Sequence, residues 1–477
     1  MAVQTRHRAL RFVAGPFARL TFQRSGLPPP GIFAVMDQTQ SRSDRPRDYS
    51  QLPHSATAAL GKPAFEVKAK KPMKPSRATA AHLLLGTFLI SAPLAHPQTA
   101  QQPATASPTV EREHVGDAPD DPGPLATDLS PALKPAPIRS AIKKVAEWQL
   151  RVAETNFNSQ WTYAPLYDGL IAASAATGDP RYRQAVIDYA TRQQWKLLVD
   201  RFPHADDMAL GQAYLDIYLA DPAAHRDPQR IADTKAILDR LVERPDDPAK
   251  DLWWWCDALF MAPPVLTRMS LATNDPKYLQ FMEREWAITT KSLYDPSHHL
   301  YFRDARYLTR KERNGQPIFW SRGNGWVMGA LAKVLQTMPA TDPRRPEFVQ
   351  QFRDMAAEVA SIQGQDGLWR SGLLDPDSYP LPEISGSAFF TYAIAYGINQ
   401  HILDRHKYLP VIERSWTGML GHVYADGRLG SIQPIDGQPG IFKPSASYVY
   451  GVGGFLLAGG ELERLSSEKR LPSNPRG

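Results

Sequence analysis

Thr177-Gly178-Asp179-Pro180-Arg181-Tyr182 returns in looser form as Thr273-Asn274-Asp275-Pro276-Lys277-Tyr278, and again as Thr341-Asp342-Pro343-Arg344. In each copy an Asp is placed to accept from the free N–H groups of a helix start. A Pro fills the first turn, where its missing N–H costs nothing. Each copy follows an apolar helical stretch, so the unit is helix, short turn, Asp-Pro, helix. Six such hairpins close an α/α toroid; an open solenoid is the other arrangement of the same unit.

The same periodicity extends outward from these copies. In IRSAIKKVAEWQLRVA the apolar residues Ile138, Ile142, Val145, Trp148 and Val152 have the three- and four-residue spacing of one helix face. Comparable spacing predicts helices near 163–176, 180–198, 208–220, 227–243, 253–272, 276–292, 324–337, 346–363, 386–403, 406–421 and 446–463. Only 300–302 and 430–433 read as short strands, so the fold class is all-α.

The chain has 477 residues, 43% hydrophobic and 22% charged, which suits a sizeable globular core. Its net charge is +6, with much of the basic character in the first 80 residues. No Lys/Arg stripe with interleaved aromatics runs through the body, so no nucleic-acid partner is expected. A mild positive balance is compatible with an anionic substrate. The single cysteine, Cys256, excludes an intramolecular disulfide and a Cys-based zinc site, and its apolar neighbours make it a small core residue. The twelve histidines show no HExxH-like spacing, so neither a metal nor another cofactor is expected.

The first third of the chain reads differently. Residues 1–72 are rich in Arg, Ser, Pro and Gln with little apolar period, as in a disordered leader or an over-extended reading frame. Met73 opens MKPSRATAAHLLLGTFLISAPLAHPQTA, residues 73–100, with Lys74 and Arg77 ahead of an apolar run over 80–92. That run is too short to cross a bilayer comfortably and suits a signal peptide cleaved near Ala95 or Ala100. The protein is therefore expected to start at Met73 and to be exported, periplasmic or secreted. No stable membrane span is expected after cleavage; a retained anchor is the alternative. Residues 101–137 are a Pro/Ala-rich linker, 138–466 the folded domain and 467–477 a tail.

Four segments carry candidate chemistry. Asp206 and Asp207, in HADDMALGQ, are adjacent acids before a helix, a pattern that N-capping alone would also produce. Asp257, in WWWCDALFMAPP, is a lone acid in an apolar, aromatic helix; a buried carboxyl must pair or keep its proton, and a proton-holding carboxyl is what a general acid needs. In FWSRGNGW, Trp320 and Trp326 offer flat faces to sugar C–H groups. Arg322 there can grip a carboxylate in bidentate fashion, and Gly323 with Gly325 lets backbone approach a ligand. In EISGSA, Ser385 and Ser387 flank a glycine at a helix start and leave room for a ligand there. YVYGVG, residues 448–453, is a weaker fifth candidate.

Taken in order, these motifs resemble the unsaturated rhamnogalacturonyl hydrolases of glycoside hydrolase family 105, relatives of the family 88 unsaturated glucuronyl hydrolases. The resemblance runs from about Ile142 to Leu465; WSRGNGW is its most specific element, supported by WCDALFMAPP, DDMALG and YGVGGFLLAGGE. It implies an (α/α)6 barrel, in agreement with the helix count. It also implies a substrate whose terminal uronic acid carries a C4=C5 double bond left by a lyase. By the same analogy Asp257 protonates the double bond and activates a water that attacks C5. The resulting hemiketal opens and the glycosidic bond is lost. Asp207 matches the family's second aspartate, and Trp320, Arg322, Gly323 and Trp326 match its sugar-binding motif. The chain departs from the family where a histidine is expected in the preceding hairpin. It reads Leu300-Tyr301-Phe302-Arg303-Asp304-Ala305-Arg306, with Arg303 or Arg306 as candidate carboxylate partners. The expected activity is removal of the terminal unsaturated galacturonyl residue from rhamnogalacturonan or pectin oligosaccharides. The rivals are action on glycosaminoglycan-type fragments and a non-catalytic sugar-binding barrel.

Overall fold

The computed structural model describes residues 115–247 and 249–467. The expected leader, the signal segment, the first part of the linker and the tail beyond 467 lie outside the described residues. Among the described residues thirteen α-helices follow in chain order: α1 (Pro135–Ala153), α2 (Ala164–Thr177), α3 (Pro180–Arg192), α4 (Gly211–Ala220), α5 (Gln229–Val242), the single turn α6 (Ala258–Met261), α7 (Pro263–Thr273), α8 (Lys277–Leu293), α9 (Ser321–Thr337), α10 (Arg345–Ser361), α11 (Ile384–Asn399), α12 (Arg405–Leu420) and α13 (Val449–Ser467).

Contacts between helices decide the closure. α2 packs on α4, α4 on α7, α7 on α9, α9 on α11, α11 on α13, and α13 returns to α2. That cycle is a closed inner ring, so the toroid holds and the open solenoid does not. Each inner helix carries one outer helix: α3 on α2, α5 on α4, α8 on α7, α10 on α9, α12 on α11 and α1 on α13. Outer helices keep a solvent face, whereas an inner helix has neighbours on every side. All of α11 is buried, and so is α9 from Ser321 to Leu335. Small residues let inner backbones meet. A Cβ added at Gly453 would lie 2.2 Å from the Pro165 carbonyl oxygen, and one at Gly386 would lie 2.2 Å from Ser321 Oγ.

The Asp-Pro repeat marks entry into outer helices. Asp179 Oδ1 accepts from Arg181 N at 3.0 Å, Asp275 Oδ1 from Lys277 N at 3.0 Å and Asp342 Oδ1 from Arg344 N at 2.8 Å, starting α3, α8 and α10. Asp227-Pro228 is a fourth copy, with Asp227 Oδ1 accepting from Gln229 N at 3.0 Å ahead of α5.

Three expectations change. The helix predicted over 253–272 is broken: residues 253–257 form an irregular turn, and α7 restarts at Pro263, which cannot donate into a continuing helix. Asp257 therefore sits on a turn rather than inside a helix. Residues 430–433 form no named strand; Ser431 N and Ile432 N donate to Pro444 O and Ala446 O at 2.8 and 2.9 Å, too few bonds for a ladder. By contrast, Leu300–Tyr301 does pair antiparallel with Tyr294–Asp295. From residue 115 onward the stretch read as a linker is an extended lead-in held against the domain. Gly116–Asp117 pairs with Ser447–Tyr448, Asp117 ion-pairs with Arg428, and Ala126 N donates to Val423 O at 2.8 Å. A Pro-rich stretch without its own period can still be held extended by hydrogen bonds from a neighbour. No helix among the described residues is long and apolar enough to cross a membrane.

Candidate active site

Asp257 is positioned by two chain segments running together. Cys256 N donates to Arg303 O at 2.8 Å, and Trp255 bridges to Asp304. This pairing sets Arg303 beside Asp257, with Nε 3.4 Å from Oδ2. The Cys256 thiol lies 3.5 Å from Asp257 Oδ1 and donates to it, so the cysteine read as a plain core residue also touches the Asp257 carboxyl. Asp257 is 8% exposed. Burial pushes its pKa up, and the charges of Arg303 and then Arg322 pull against that.

Asp304 orients the arginines around it. It accepts from Arg303 Nη1 at 2.7 Å and from Arg306 Nε and Nη2, each at 2.9 Å. Burial works against its charge, but the hydrogen bonds from Arg306 and Arg303 hold its pKa down at about 2. Of the two arginines suggested by sequence, Arg303 faces Asp257, while Arg306 is spent on Asp304.

The adjacent acids divide the roles differently from expectation. Asp207 is buried and turned onto Arg201, accepting from its backbone N at 2.7 Å, from Nε at 3.0 Å and from Nη2 at 2.7 Å. Asp206 is the one that feels Asp257. Burial lifts its pKa to about 7, Arg201 opposes, and the charges of Asp257 and Asp207 add to the rise. His204 caps the same turn through Nδ1, which accepts from Asp206 N at 3.4 Å, and its ring lies 4.4 Å from that of Trp255. Burial, then the Arg201 charge, lowers its pKa to about 4. It is therefore a neutral imidazole at neutral pH, and with Nδ1 accepting, the proton is on Nε2. Trp254 is 48% exposed, with the Arg303 guanidinium 5.5 Å over its ring.

The WSRGNGW residues support this centre from behind. Arg322 is 1% exposed. Its Nη1 donates to Gln433 O at 2.6 Å and its Nη2 to Pro434 O at 2.9 Å, with the guanidinium between the Trp320 and Tyr450 rings. The fork expected to grip a carboxylate is thus committed to backbone carbonyls. Trp320 is buried and donates through Nε1 to Gln433 Oε1 at 2.8 Å, and Trp326 packs in the core against Phe260 and Phe389. Gly323 gives Trp320, Cys256 and Asp257 the room to pack together. Ser385 and Ser387 are fully buried, donating to Glu383 Oε1 at 2.6 Å and to Glu383 O at 2.8 Å. Glu383 caps α11, accepting from Ser385 N and Gly386 N, and the two serines serve that turn. Around Asp257 the structure gathers the 204–207 and 303–304 segments, and it buries Trp320, Arg322, Ser385 and Ser387. His204 and Asp206 were visible in the quoted acid motif, yet only tertiary packing tells which of two neighbours turns inward. Among the described residues no group of three or more His, Cys, Asp or Glu is placed to hold a metal ion.

The sequence profile of Glycosyl Hydrolase Family 88 matches residues 138–466, more than two thirds of the chain. The chain belongs to glycosyl hydrolase family 88. It is 37% identical over 349 residues to the "unsaturated 3S-rhamnoglycuronyl hydrolase" of Formosa agariphila, spanning 69% of this chain and 91% of that one. A protein of the same name from Alteromonas sp. is 31% identical, covering 71% and 89%. The solved family 88 hydrolase from Bacteroides vulgatus superposes with a TM-score of 0.65 at 32% identity, over 69% of this chain and 99% of its own. Membership makes the protein a glycoside hydrolase with the six-hairpin fold of family 88. The non-catalytic barrel has no support.

Proposed function

We propose that this family 88 hydrolase removes a terminal unsaturated uronyl residue from lyase-generated oligosaccharides in which the next sugar is rhamnose, by hydrating the C4=C5 double bond. One observation carries the reading: Asp257 is a carboxyl whose proton burial favours, 8% exposed, with the Arg303 cation 3.4 Å away. The proton suits C4 of an enol ether; the cation suits the substrate carboxylate. Asp257 delivers its proton to C4, and the charge developing at C5 is shared with the ring oxygen. Water adds at C5 and gives its proton to the Asp257 carboxylate, so the acid is restored and one water is consumed. The hemiketal opens, leaving C1 as a hemiacetal that sheds the next sugar. Asp206, near Asp257 and half-protonated near neutrality, supports the handling of that second proton.

Lyase elimination erases the configuration at C4, so galacturonate and glucuronate yield the same unsaturated residue. Discrimination between polymers therefore rests on the aglycone. The rhamnoglycuronyl names of both relatives support rhamnose there. Unsaturated galacturonyl residues on pectic rhamnogalacturonan are the substrate the motif resemblance favours, and these too place rhamnose next to the uronate. The apolar segment 80–92 behind Lys74 and Arg77 supports export. An N-terminal peptide beginning near Ala95 or Ala100 in protein from native cells is the expected result, and one beginning upstream of Met73 contradicts it.

The test follows the ultraviolet absorbance of the conjugated uronate. It is expected to fall with lyase-digested rhamnoglycuronan or rhamnogalacturonan, and to stay flat with Asp257→Asn. A fall with chondroitin disaccharides alone moves the protein to glycosaminoglycan fragments. Full activity of Asp257→Asn removes the mechanism.

A further inference from the structure

Arg303 stands between two carboxylates that hold it unequally. Nη1 donates to Asp304 Oδ2 at 2.7 Å. Nε, 3.4 Å from Asp257 Oδ2, is buried without a hydrogen-bond partner. The guanidinium lies over Trp254 and is backed by the loop at Gly437, where an added Cβ would come within 3.3 Å of Cζ. Beneath it the backbone is fixed by the bond from Cys256 N. The group is thus clamped by Asp304, Trp254 and the 437 loop, while the donor facing Asp257 is satisfied by charge alone. Carboxylates bind guanidinium best through two aligned N–H donors, which Asp257 does not obtain here.

Resting on the hydrolase reading above, we infer that Arg303 exchanges partner on substrate binding: facing Asp257 in the free enzyme, it takes the uronate carboxylate in the complex and leaves Asp257 without its nearest cation. The remaining groups around Asp257 do not replace that charge. Arg322 keeps its place on the Gln433 and Pro434 carbonyls, the Cys256 thiol is held neutral by burial, and His204 is neutral. Asp206, from the turn before α4, and Asp304, behind Arg303, contribute negative charge. Neutralising Arg303 therefore raises the proton affinity of Asp257 when a double bond is present to receive the proton. In the empty site Arg303 opposes the rise that burial imposes on Asp257, and in the filled site that opposition is spent on the substrate, which loads the acid further.

The signature is a separation of pH limbs. The proton donor must be protonated, so the rate falls as pH rises through the Asp257 pKa. The limb of kcat/KM reports the free enzyme and that of kcat the complex. The kcat limb is expected about one pH unit or more above the kcat/KM limb, the usual effect of a neighbouring opposite charge. In Arg303→Gln the cation is gone from both states, so the kcat/KM limb moves up to meet the kcat limb, and KM rises about 10- to 100-fold. Arg303→Lys keeps a charge without the fork and is expected to retain the separation with a raised KM. Both profiles are measured by ultraviolet loss on the wild type and the two variants, with thermal melting to show that each is folded. Coincident limbs in the wild type, or a separation unchanged in Arg303→Gln, overturns the exchange while leaving the hydrolase reading standing. No turnover of any unsaturated uronide by the wild type overturns the functional reading and this inference together.

Discussion

Replacing Gly323 by Ala tests how tightly the reactive carboxyl is placed. The added Cβ would lie 2.9 Å from Trp320 Cε3, 3.2 Å from Cys256 Sγ and 3.6 Å from Asp257 Oδ1. The indole cannot easily retreat, because Nε1 is bonded to Gln433 and Arg322 covers its face at 4.5 Å. Restoring ordinary contact asks for a shift of about 0.5 Å, shared with the turn that carries Asp257. For stability, two effects oppose. Ala in a helix gains about 1 kcal/mol over Gly, and overpacking costs about 1–3 kcal/mol. The net loss is therefore about 0–2 kcal/mol, a few degrees at most in melting temperature. Catalysis has no such compensation, since displacement of about 1 Å costs on the order of 100-fold. Gly323→Ala is expected to lose about 10- to 100-fold in kcat, with KM little changed and the fold intact. Ultraviolet kinetics beside a thermal melt read both. A folded variant with kcat within about twofold of wild type would refute the claim that this packing sets the position of Asp257.

Further outcomes follow from the buried charges. Asp206→Asn should lower kcat about 100-fold with little change in melting temperature. Asp207→Asn should instead cost about 1–2 kcal/mol of stability, limited because Arg201 is 42% exposed and can rehydrate; the reverse pattern would restore Asp207 to the reaction centre. Across the ring, Lys333 Nζ lies 2.8 Å from Asp168 Oδ2, both side chains within 3% of full burial, beside a cavity of about 510 Å3. Lys333→Met leaves the Asp168 carboxyl buried without its ion-pair partner and should cost about 3–5 kcal/mol, much of it recovered by also changing Asp168→Leu. Burial already raises the Asp168 pKa, and the single variant raises it further. The carboxyl then holds its proton when folded and releases it on unfolding, so the variant loses stability as pH rises above the normal aspartate range. Urea melts at several pH values check this, and a pH-independent loss contradicts it.

Much of the fold was legible because its signals are local. An Asp two residues before a free N–H and a Pro in the first turn act within one helix start, so the repeat could be read at residues 179, 275 and 342 without any partner. Its fourth copy at Asp227 was missed only because the flanking residues differ. Helix ends near 253–263 and 205–211 were misjudged, since aromatic and apolar runs look helical whether or not a proline or a tight turn interrupts them. The strap from 115 to 126 was unreadable because its hydrogen bonds come from residues some 300 positions away.

The sequence by itself determined the hairpin unit, the outer-helix starts and the segments that build the site, since periodicity and capping are short-range properties of the chain. Closure of the ring was decided by the tertiary structure, where α13 meets α2. So was the division of labour within each motif. Adjacent residues such as Asp206 and Asp207 share a composition and a capping propensity, and only the neighbours they meet separate them: Arg201 claims one, and the field of Asp257 reaches the other. Arg322 is turned from its expected part for the same reason. A guanidinium binds whichever acceptors packing presents first, and for Arg322 those are the carbonyls of the 433–434 loop.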